Sequence, residues 1–87
     1  MFGTIKVKLP ILALNALRHR ARHYGHSVEH EAVLAILFAC NVHAADRGNA
    51  ELTRRFAEEH VRYITDHNLK GYRVAERNAA QASSHLN

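Results

Sequence analysis

The sequence predicts a mainly α protein that folds as a dimer. A short N-terminal strand pairs antiparallel with its copy in a second chain, two helices follow, and a helical C-terminal extension completes the chain. Three observations lead there. Residues 3–9 alternate apolar and polar side chains, most of the remaining chain carries helical spacing, and no second strand pattern exists for the first to pair with.

Ile5, Val7 and Leu9 fall on one face of the N-terminal segment and Thr4, Lys6 and Lys8 on the other. Period two with β-branched residues argues for a strand. A solitary strand leaves its backbone groups unsatisfied, so a symmetric pairing of two chains is the economical solution. Pro10 ends any ladder and suits the start of a helix. From Ile11 to Tyr24, Leu14, Leu17, Ala21 and Tyr24 recur at spacings of three and four, while Arg18, Arg20 and Arg22 point elsewhere. Gly25 is the expected stop, and Ser27 the expected cap of the next helix, with Glu29 and Glu31 at the positive end of its dipole.

That second helix reads from Val28 to about Ala44. Val28, Ala32, Val33, Ile36, Leu37 and Cys40 give it an apolar surface broader than an isolated helix tolerates, so it is expected to be buried across a dimer interface. Asp46-Arg47-Gly48-Asn49 reads as a turn, with Asn49 a cap. A third helix is expected from Ala50 to about His67, with Leu52, Phe56, His60, Tyr63 and Ile64 along one stripe, broken at Asn68 to Gly71. Tyr72 to Ala82 has helical composition but little apolar content, the pattern of a segment that orders on a partner.

Eighty-seven residues bury only about 60% of the unfolded surface, and oligomerisation is the usual remedy when disulfides are lacking. Cys40 is the single cysteine; it reads as a small hydrophobe, and an unpaired thiol fits a reducing cytoplasm. The longest apolar run, Ala32 to Cys40, is half of a membrane span, and the N-terminus carries no export signal, so neither membrane insertion nor secretion is expected. Charge is segregated: residues 1–26 hold Lys6, Lys8, Arg18, Arg20 and Arg22 and no acid, whereas residues 27–87 hold seven Lys/Arg against eight Asp/Glu. A polyanion-facing end and an ordinary solvated end follow from that asymmetry.

The run from Asn15 to Glu31, N-A-L-R-H-R-A-R-H-Y-G-H-S-V-E-H-E, resembles the two-helix core of FitA-type antitoxins, members of the ribbon-helix-helix superfamily with the Arc and MetJ repressors. The resemblance covers about residues 3–40. It implies a dimeric DNA-binding domain over residues 1–45, with double-stranded DNA as partner, and a C-terminal extension over residues 46–87 for partner binding or assembly. It further implies a transcriptional repressor, as a homodimer or a dimer of dimers, acting as the antitoxin of a type II toxin–antitoxin pair. The cognate toxin would be PIN-domain-like, engaged by Phe56, Tyr63, Tyr72, Arg73 and Arg77, with Arg73 or Arg77 inserted into its active site.

In that arrangement Thr4, Lys6 and Lys8 read base edges in the major groove. The chemistry is independently reasonable: a two-stranded ribbon fits the groove, lysine donates to guanine, and a threonine methyl meets thymine. Ser27, Arg22 and His26 would contact phosphates near the helix N-terminus. A plasmid partition or relaxosome accessory protein would use the same DNA-binding half with the extension serving assembly. A module of this fold that has lost DNA binding, such as a phage inhibitor, is the remaining alternative. The pairs His19/His23 and His26/His30 are spaced to share a cation, but no cysteine pair or HExxH completes a site. With no catalytic dyad and no phosphate loop, neither an enzyme nor a cofactor is expected.

Overall fold

A computed structural model describes residues 3–69 and 71. The chain is mainly α: helices α1 (Ile11–Tyr24), α2 (Val28–Asp46) and α3 (Ala50–Asp66) follow one another through short turns. The central helix α2 packs mainly against α3 and more lightly against α1.

The N-terminal strand expectation is corrected. Among the described residues there is no strand: residues 3–10 take neither helix nor ladder, and Ile5 is 82% exposed. Alternation specifies which side chains would share a face, but a strand exists only when a neighbour satisfies its backbone. Without a β-ribbon the ribbon-helix-helix assignment fails, and with it the kinship to FitA-type antitoxins inferred from residues 15–31. What stands is the helical part.

Each helix begins and ends where local chemistry dictates. Pro10 precedes α1 with φ −53° and contributes only its carbonyl, which accepts from Leu14 N–H at 3.0 Å. Ser27 caps α2, its hydroxyl accepting from His30 N–H at 3.2 Å, and Asn49 caps α3, its side chain accepting from Leu52 N–H at 3.0 Å. The three C-termini close in the same way. Gly25 and Gly48 sit at φ 73°, and Asn68 at φ 55°. In each case the next residue's N–H reaches back five residues: His26 to Ala21, Asn49 to Ala44, and Leu69 to Ile64, all at 3.0 Å. These are Schellman closures, which need a residue at ease in the left-handed region. The second helix runs two residues past its expected end because its closure falls on Gly48.

Among the described residues the apolar core is small. Leu34, Ile64 and Leu69 form it, with Tyr63 packed alongside, and Ala21 and Ala44 are also buried. On α1, Leu14, Leu17, Ala21 and Tyr24 turn inward as their spacing requires. Asn41 Nδ2 donates to the Thr53 carbonyl at 2.9 Å, tying α2 to α3. Helix α2 is apolar on nearly every face, so burying one side leaves another uncovered: Ile36 and Phe38 are each 60% exposed, and Ala35, Ala39 and Val42 are exposed beside them. Ile36, expected in an interface, is therefore outside the core of a single chain. By length and composition alone, Val28–Asp46 is long and apolar enough to cross a membrane, a property missed when only the unbroken run Ala32–Cys40 is counted. The expected segment from Tyr72 to Ala82 lies outside the described residues.

Candidate nucleic-acid interface and the polar hinge

The geometry of α1 sorts its basic residues into two groups. Arg18, His19, Arg22 and His23 are exposed together with Asn15, opposite the inward stripe of Leu14, Leu17, Ala21 and Tyr24. Helix α1 contains no acid, so its outer face is a basic ridge. Arg20 takes another course. Its Nε donates to Glu31 Oε1 at 2.6 Å, and its guanidinium carbon lies 5.5 Å from the Tyr24 ring centroid. Cation–π and carboxylate contacts together hold it over the α1–α2 turn.

Glu31 is the buried charged residue among those described, at 1% exposure. A buried carboxylate is tolerable only with donors on its oxygens. Glu31 has two: Arg20 on Oε1, and His26 Nε2, which donates to Oε2 at 2.9 Å. His26 occupies the position after the left-handed Gly25, and its side chain is 3% exposed. The Schellman closure thus aims His26 inward, stacked on Tyr24 with ring centroids 5.8 Å apart. The expected phosphate role of His26 therefore meets a ring already engaged with Glu31, whereas Arg22 and Ser27 are exposed.

Next to this pair, His30 Nδ1 and the Tyr63 hydroxyl share a hydrogen bond of 2.7 Å across the α2–α3 interface. Burial pushes His30 below the ordinary imidazole value, the neighbouring His67 and His26 push it further, and Glu29 opposes them. Burial raises Tyr63, helped by Glu29. A neutral ring and a protonated phenol follow, so the hydroxyl donates to Nδ1.

Thr4, Lys6 and Lys8 are all exposed, in the segment that leads into α1. The structure does not join them into a ribbon. Phe56 and Tyr63 are half-buried on α3, the latter occupied by His30; Tyr72, Arg73 and Arg77 lie outside the described residues. Cys40 is free and half-buried. Among the described residues no group of three or more His, Cys, Asp or Glu is placed to hold a metal ion. The hinge built from Arg20, His26 and Glu31 was not anticipated from the sequence. The signal was present: helical spacing puts Glu31 on the stripe of Val28, Ala32 and Ala35, and an acid on an apolar stripe calls for basic partners nearby.

No protein-family model matches the chain, and no curated protein or solved structure is significantly similar to it.

Proposed function

We propose that this chain binds double-stranded DNA through the outer face of α1, as a homodimer whose apolar α2 surfaces cover one another. The observation that carries the reading is the partition of charge in the described residues 3–26. Arg18, His19, Arg22 and His23 face outward without an acid among them, while Arg20, itself half-exposed, is met by Glu31. Lys6 and Lys8 extend the same field toward the N-terminus. A basic ridge on a helix suits a phosphate backbone, and two copies related by a twofold axis suit the symmetry of duplex DNA. Repression of transcription is the ordinary consequence of such occupancy. The toxin-neutralising role rested on the family resemblance and on the low apolar content of residues 72–82, which lie outside the described residues, and it is no part of this proposal.

The test is fluorescence anisotropy of a labelled duplex between about 50 and 300 mM salt. Each phosphate neutralised contributes a slope of about −0.9 to log K against log salt. Replacing Arg18 and Arg22 together by alanine should flatten the slope by about two, whereas Arg20→Ala should leave it nearly unchanged in a folded protein. Absence of binding at about 50 mM salt overturns the proposal. Partition of the chain into membranes would overturn the dimer, since α2 would then be covered by lipid.

A further inference from the structure

Three histidines from three parts of the chain meet where α3 ends on the α1–α2 turn. His26 belongs to that turn, His30 to the start of α2, and His67 follows the last residue of α3. The His30 ring centroid lies 4.8 Å from that of His67 and 6.4 Å from that of His26. Tyr63 sits against both members of the closer pair, 5.6 Å from His30 and 4.1 Å from His67. Just beyond, Leu69 is buried with Leu34 and Ile64, and Gly71 lies so close to Tyr24 that a Cβ there would overlap the Tyr24 carbonyl oxygen. The end of α3, with Leu69 and Gly71 beyond it, is therefore fastened to the junction of α1 and α2 through edge-on and tilted contacts among two imidazoles and a phenol.

We propose that this ring cluster is an acid-released clasp: near neutral pH it holds residues 64–69 and Gly71 against the junction of α1 and α2, and mild acid lets them go. The inference rests on neither the DNA reading nor the dimer.

The charges around His30 favour this behaviour. The turn presents His26, α3 presents Tyr63 and His67, and α2 presents Glu29 and Glu31, with Arg20 of α1 reaching over Glu31. Both carboxylate oxygens of Glu31 are already taken, by Arg20 and His26. Glu29 is exposed, where water weakens its pull. A charged His30 would therefore meet desolvation, and repulsion from the neighbouring His67 and His26, that its remaining neighbours do not offset. The sign follows from linkage. His30 is held below its ordinary value of 6.5, so the released state takes up the proton first as pH falls. The clasped state is fully stabilised above that value and loses stability as pH drops through it toward the lower, clasped value.

Hydrogen exchange of the full-length protein at pH 7.5 and 5.5, corrected for intrinsic rates, reads the clasp directly. The amides of His67 and Leu69 are bonded to Tyr63 O and Ile64 O. In acid they should lose protection severalfold relative to the middle of α2, because proton uptake favours the released state. In His67→Gln, an exposed position, the acid loss should shrink in part, since burial of the His30 ring, the larger cause, remains. Equal wild-type protection at the two pH values overturns the proposal, as does an undiminished acid loss in His67→Gln. Should that variant be poorly protected at both values, an NMR titration of the wild-type His30 ring decides. A midpoint below 6.5 supports the clasp, and one at or above 6.5 overturns it.

Discussion

Glu31 shows what one side chain can impose on a small protein. Its two oxygens gather Arg20 from α1 and His26 from the turn, so the carboxylate fixes how α1 meets α2. The three partners are unequal. Arg20 is 53% exposed and regains water readily, whereas His26 and Glu31 are buried. Removing Glu31 strips two donors at once, and removing Arg20 leaves the carboxylate its histidine. Urea unfolding should therefore show Glu31→Ala destabilised by about 3 kcal/mol, the lower end expected for breaking a buried pair. Arg20→Ala should lose about 1 kcal/mol or less, as half-exposed pairs do. If the two variants were equally stable, Glu31 would not be the anchor of the hinge.

At the scale of elements, the helices were legible because their limits are written locally. Ser27, Asn49 and Gly25 act within three to five residues of themselves, and all three appear where expected. The amphipathic spacing of α1 likewise selected Leu14, Leu17, Ala21 and Tyr24 as its inner face. The N-terminal strand was misread because its evidence was of another kind. Alternation at Ile5, Val7 and Leu9 describes the side chains, while the existence of a strand depends on a distant backbone that the sequence cannot name. The hinge was hidden for a related reason: Arg20 and Glu31 are eleven positions apart and meet only because the turn at Gly25 folds α1 back. That dependence is testable. Gly25→Ala forces a Cβ into φ 73° and should cost about 1 kcal/mol for the left-handed backbone alone. Since His26 is aimed by the same closure, the thermal midpoint should fall further than in Gly48→Ala, whose closure aims no buried ion pair. Equal shifts in differential scanning calorimetry would contradict the coupling.

Across the whole molecule the balance of apolar surface is unusual. Five apolar residues are buried in the described part of the chain: Ala21, Leu34, Ala44, Ile64 and Leu69. Against them, Ile36, Phe38 and Val42 of α2 and Ile11 and Leu12 of α1 are exposed. So small a core gives little stability to a separate monomer, and uncovered apolar surface of this kind marks a site of association. No Asp, Glu, Lys or Arg interrupts α2 between Glu31 and Asp46, so two such helices can face each other with little repulsion. Sedimentation equilibrium should accordingly give a dimer, and Phe38→Asp should convert it to a monomer by placing an unpaired charge in the interface, at a cost of several kcal/mol. A helical Phe38→Asp dimer would show that some other face is joined.

Asn49 closes α2 with its amide and opens α3 with its side chain, while its carbonyl accepts from Thr53 Oγ1 at 2.7 Å. One residue thus serves as the last link of one rod and the first link of the next. The elbow has no slack in it: lengthening the connection by a single position would split these duties between two residues and swing α3 by about a quarter turn about its own axis. Asn41 would then miss the Thr53 carbonyl and Tyr63 would turn away from His30. Grafts or reporters therefore belong elsewhere than this elbow.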